Sequence, residues 1–108
     1  MPLPAPERPL RERYPGLARL CGSYLHEDVA VTDGSVEAAV ARFAREVAPE
    51  VRTRCADDLR RLLAEAPGER ALDDVLAALD CAHQPRRGRR ATRIWLEGVR
   101  RALRATPR

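Results

Sequence analysis

The chain predicts an all-α fold: a single compact bundle of about five helices joined by short loops. Three observations predict it. Apolar residues recur at three- and four-residue spacing between the breakers, the period of amphipathic helix. Leu, Ala and Arg are abundant while β-branched and aromatic residues are few, which favours helix over sheet. Turn signals such as Asp33-Gly34, Pro67-Gly68 and Pro85 with Gly88 fall between the periodic stretches. A length of 108 residues supports one core and is too short for two.

Residues 1–13 carry four of the nine prolines and read as a flexible N-terminal lead-in, with the helical domain spanning 14–108. Tyr14-Pro15-Gly16 opens the first helix, because a proline in the first turn gives up an N–H that would have no partner there. Leu17, Leu20, Cys21 and Tyr24 form its stripe, and it is expected to end around His26. Asp33-Gly34 marks a turn and Ser35 an N-cap for the next helix, whose buried stripe is Val36, Val40, Phe43 and Val47. Pro49 either begins a new helix or kinks the old one. Val51, Cys55, Leu59, Leu62 and Leu63 then make an inner face, with Arg54–Asp58, Asp57–Arg61 and Arg61–Glu65 as exterior pairs. Pro67-Gly68 closes that helix. Leu72, Val75, Leu76 and Leu79 line the next one, and Asp80 is expected in its last turn. Pro85, Gly88 and four arginines keep 83–90 from packing. Thr92 is placed as the cap of a last helix bearing Ile94, Trp95, Val99, Ala102 and Leu103. Trp95, the one tryptophan, is assigned to the core on that stripe.

The net charge of +4 conceals two poles. Residues 21–80 hold seven Arg against thirteen acids, whereas residues 81–108 hold nine Arg against one Glu. The body is acidic and the tail basic. Cys21, Cys55 and Cys81 lack metal-ligand spacing and read as reduced core thiols. No apolar run is long enough to span a bilayer, and the first residues lack the apolar core of a signal peptide, so a cytoplasmic protein is expected.

Catalysis is not expected. The sequence has no phosphate loop, nucleophile elbow or metal-binding helix motif, and no cofactor or metal is implied. His26, Glu27 and Asp28 are consecutive, so on a helix they do not face one another. Glu69 and Asp73 repel at i, i+4 unless they serve the positive end of their own helix, and Asp80 is expected to meet an arginine of the following loop. What remains is a modest acidic surface suited to a basic partner. Arg86, Arg87, Arg89 and Arg90, continued by Arg93, Arg100, Arg101 and Arg104, form an alternative basic surface. That cluster would attract nucleic acid, but without interleaved aromatics to stack bases it reads first as a solvated face balancing the body.

The run from Tyr14 to Asp28, YPGLARLCGSYLHED, resembles a signature of the contact-dependent growth inhibition immunity proteins, CdiI, of the form F/Y-P-x-L-x-x-F-x-G-x-Y-x-H-Q-D-W. The likeness continues in the Asp33-Gly34-Ser35 turn before an amphipathic helix. It also takes in the Leu-rich segment LDDVLAALDCAHQP and the Ile94-Trp95-Leu96 helix, so that it spans Tyr14 to Leu103. Glu27 stands where the pattern has Gln, and Val29 where it has Trp. The resemblance implies a helical immunity domain over 14–108 that binds the C-terminal toxin domain of a cognate CdiA effector and blocks its active site. Such toxins are frequently nucleases with basic clefts. An acidic contact surface of Glu27, Asp33, Glu37, Asp73 and Asp74 would then mimic nucleic acid. No small-molecule substrate or membrane partner is expected. The alternative is a small nucleic-acid-associated regulator using Arg86 to Arg104.

Overall fold

The computed structural model describes residues 9–25, 34–81 and 90–105, and every regular element among them is helical. Six helices follow in order: α1 Leu10–Arg13, α2 Pro15–Ser23, α3 Val36–Glu46, α4 Pro49–Glu65, α5 Glu69–Ala78 and α6 Ala91–Ala105. α4 is the floor of the bundle. Its contacts with α6 and with α2 are the most extensive, while α3 and α5 each pack on α6.

The apolar stripes account for these contacts. Leu17, Leu20 and Cys21 of α2 are buried with Cys55, Leu59 and Leu62 of α4, with Val40 and Phe43 of α3, and with Leu96, Val99 and Leu103 of α6. Leu72, Leu76 and Leu79 close the α5 side. On α6, Leu96, Val99 and Leu103 recur at three and four residues, so Ile94 falls on another face and is 58% exposed. Trp95 is half-buried at the core's edge instead of inside it, because its neighbour in the chain, Leu96, takes the inward direction.

Helix ends follow local chemistry. Ser35 accepts from the Ala38 N–H at 3.1 Å, as expected of an N-cap. Gly34 before it has φ +83°, the left-handed region that the Asp33-Gly34 turn demands of a glycine. Pro49 starts a new helix at its first position after an extended Val47. α5 ends earlier than expected: Asp80 is past the helix at φ 60°, with its N–H on the Ala77 carbonyl and the Cys81 N–H on the Leu76 carbonyl. This is a Schellman stop, with aspartate in the left-handed position glycine usually takes. At the N-terminus, residues 10–13 of the expected lead-in form one helical turn, Leu10 packing against the core. Arg11 of that turn pairs with Asp80, while Arg86, Arg87 and Arg89, the loop arginines expected to meet Asp80, lie outside the described residues.

Candidate functional site

The Tyr14-Pro15-Gly16-Leu17 run forms a joint between α2 and α4. Pro15 places the first N–H groups of α2 directly over Asp58, whose Oδ2 accepts from Gly16 at 2.7 Å and Leu17 at 3.1 Å. Asp58 is 1% exposed, and its other oxygen accepts from Arg61 at 2.5 Å. The expected exterior pair Arg54–Asp58 is therefore corrected: this carboxylate faces inward because an orphaned helix start needs it. Gly16 permits the approach, since a Cβ there would lie 2.6 Å from the Cys55 backbone nitrogen and 2.7 Å from its Cα. Tyr14 is buried, donates its O–H to Glu65 at 3.1 Å, and lies between the guanidinium groups of Arg13 and Arg61. Burial first, and then the bond to Glu65, raise its phenol pKa. Burial opposes the charge on Arg61, but the bond to Asp58 and the charges of Asp58 and Asp57 outweigh it and raise the guanidinium pKa. Tyr24 is anchored in the same way, with its O–H on Glu46 at 2.8 Å and its ring edge-on to Phe43. The conspicuous residues of this run are thus structural.

The acidic residues divide. Glu27 and Asp33 lie outside the described residues. Glu37 and Asp74 are exposed, on α3 and α5. Asp73 is exposed too, and its Oδ1 accepts from the Thr92 hydroxyl at 2.5 Å. Glu69 accepts from the backbone N–H groups of Thr92 and Arg93, so it caps α6 rather than serving the start of its own helix. Thr92 is correspondingly inside the first turn of α6 and is not its cap.

The basic residues divide too. Arg86, Arg87 and Arg89 lie outside the described residues, and Arg90 is exposed at φ 60°. Arg93 is structural: its guanidinium donates to the Leu63 carbonyl at 2.9 Å and the Ala66 carbonyl at 3.4 Å, closing the C-terminal end of α4. Arg100 and Arg104 of α6 face Arg52 and Arg60 of α4 across a groove of about 300 Å³, which Thr53, Ala56, Asp57 and Leu103 complete. Nothing in the linear pattern pairs these arginines, because their meeting depends on how α6 crosses α4. A second groove of about 280 Å³ lies between α3 and α6, lined by Val36, Val40, Ile94, Trp95 and Val99, with Glu37 at its margin.

The described residues hold no group of three or more metal-ligating side chains. Cys21, Cys55 and Cys81 are buried free thiols. Bonding to the Cys81 thiol, and then burial, raise the pKa of Cys21, while burial raises that of Cys55. Reactive cysteines have the opposite shift. No described helix is long and apolar enough to cross a membrane.

The sequence profile of the CdiI immunity proteins matches residues 13–103. The chain belongs to the CdiI immunity protein family. That match begins just before Tyr14 and ends at Leu103, the last buried residue of α6. Among solved structures, the fold is similar to a chain in the crystal structure of a CdiA-CT/CdiI complex from Y. kristensenii 33638. The two share 23% identity at a TM-score of 0.82, over 90% of this chain and 99% of the other. No curated protein matches the chain. In this CdiI protein the Tyr-Pro-Gly-Leu run serves the scaffold.

Proposed function

We propose that this chain neutralises the C-terminal toxin domain of a cognate CdiA effector by stoichiometric binding over its active site, and that the toxin is a nuclease. The observation that carries this is membership of the CdiI immunity family across residues 13–103. Likeness to a chain from a CdiA-CT/CdiI complex supports it. The inhibitor acts by occupancy, without turnover of its own. Its acidic contacts are Glu37 and Asp74, which are exposed, together with Glu27 and Asp33. Asp73 contributes by holding α6 against α5, given its bond to Thr92. Negative groups facing a basic cleft speed encounter and take the place of substrate phosphates.

The test is to purify the chain with the toxin domain encoded beside it and follow nucleic-acid cleavage as inhibitor is added. Cleavage should stop at one equivalent, through a complex that survives gel filtration. Reversing Glu37 and Asp74 should weaken that complex and flatten its salt dependence. Cleavage that continues in excess inhibitor sinks the reading. Salt-sensitive binding of nucleic acid by the chain alone would point instead to a regulator acting through Arg86, Arg87, Arg89 and Arg90.

A further inference from the structure

We propose that the groove between α4 and α6 is a carboxylate-binding site that receives an acidic segment of the toxin domain; this rests on the toxin domain being the partner. Arg100 and Arg104 are one turn apart on α6, and Arg52 and Arg60 are two turns apart on α4, so four guanidinium groups line one niche. Two of them are fixed in place. Arg52 is buried and donates to the Ala44 carbonyl at 2.7 Å, at the end of α3. Arg60 donates from Nε at 3.1 Å and Nη2 at 2.7 Å to Oδ1 of Asp57, the one acid in the lining.

Asp57 carries a single negative charge, which Arg60 engages at one oxygen and Arg61 approaches to 3.6 Å at the other. It cannot neutralise the α6 side. There, the Arg100 Nε–H is buried without a hydrogen-bond partner. A buried donor left unmade is destabilising, and native structures seldom tolerate one without a reason. A ligand that offers a pair of coplanar oxygens matches the guanidinium forks of the arginines lining the groove.

The lining favours a protein carboxylate over nucleic acid. Among the described residues no Phe, Tyr or Trp borders the groove, so these offer a base no ring to stack on. An aspartate or glutamate from a partner loop needs no such ring. The inhibitor therefore grips its toxin with charges of both signs, acids toward the basic cleft and this groove toward an acidic segment beside it.

The test is calorimetric titration of the full chain with the toxin domain at low and high salt, comparing wild type, R60E/R104E and R19E. Arg60 and Arg104 are exposed, and so is Arg19 on α2, which does not line the groove. Circular dichroism and the urea midpoint verify that each variant is folded. R60E/R104E should bind about tenfold or more weakly with a shallower salt dependence, as loss of close charge pairs predicts. R19E should stay within about twofold of wild type, as expected for a surface charge outside the interface. If R60E/R104E matches wild type while the wild-type complex forms normally, the groove proposal falls and the immunity reading stands. If wild type itself fails to bind the toxin domain, the immunity reading falls and takes the groove with it. If a single-stranded RNA probe binds wild type and loses affinity in R60E/R104E while toxin affinity is unchanged, the groove serves phosphate and the carboxylate assignment is overturned.

Discussion

Asp58 ties together two helices through one carboxylate. Two backbone N–H groups of α2 and the guanidinium of Arg61 converge on it in a buried setting. Replacing it by Ala leaves the Gly16 and Leu17 N–H groups without this acceptor, each costing about 1–3 kcal/mol when buried, while Arg61 keeps the Arg13 carbonyl. Asp58→Ala should therefore lower the unfolding free energy by both increments. Asp58→Asn should cost less, because its amide oxygen still accepts. Urea denaturation followed by circular dichroism checks both; an unchanged midpoint in the alanine variant would falsify the capping role. The buried thiols lead to a pH prediction. Cys21 and Cys55 have native pKa values raised above the ordinary 9.0. The unfolded chain thus ionises first as pH rises. Their stabilising contribution is complete below 9.0 and is lost as pH climbs from there toward the raised native values. The urea midpoint should fall between about pH 8 and about pH 10, and Cys21→Ala/Cys55→Ala should show a smaller fall over that window. An equal fall in both proteins would assign the effect to other groups, with Tyr14 and Tyr24 the leading ones since their pKa values are also raised.

At the scale of elements, the approach of α2 to α4 depends on the absence of one side chain. A methyl at position 16 would press on backbone atoms of Cys55 and Arg54, which cannot rotate away. Gly16→Ala should separate the two helices and cost about 1–3 kcal/mol, the range for overpacking. Ala is the better helix former, so propensity alone predicts the opposite sign. The urea midpoint decides between them. Why some of this was legible in the sequence and some was not follows from the same geometry. The stripes of α2 through α5 were legible because burial imposes their period, whereas on α6 Val99 and Leu103 were placed correctly and Ile94, Trp95 and Ala102 were not. Ser35, Pro49 and Pro67-Gly68 were legible because caps and breakers act within a few residues. Asp58, Glu69 and Arg93 were misplaced because each serves the end of a helix distant in sequence, and the i+4 rule sees only its own helix. The stop of α5 at Leu79 was missed because aspartate, not glycine, holds the left-handed position after it. Of the site, the acidic residues could be named, but Asp73 could not be seen to be engaged with Thr92. The arginine groove was illegible for the same reason: it exists only once α6 crosses α4.

For the whole molecule, the central question is whether these joints make one cooperative unit. α2 and α6 both pack on α4, and Leu59 and Leu62 lie in the core they share. Separating either helix exposes apolar surface that the other still needs covered, so partial unfolding gains little chain entropy for the burial it loses. Two-state unfolding is the expected result for a domain of this size. Trp95 makes the test clean, because it is the one tryptophan and sits on α6 against the core's edge. Circular dichroism reports all helices, while Trp95 emission reports the α6 side alone. The two urea transitions should coincide in wild type. They should also move together in Gly16→Ala, although that substitution acts at the α2–α4 joint and touches no residue of α6. A Trp95 transition that stays in place while the dichroism midpoint falls would mean that α2 detaches by itself. In that case the family-marking Tyr14–Leu17 run would belong to a separable flap, and the floor of the bundle would be α4 with α6 only.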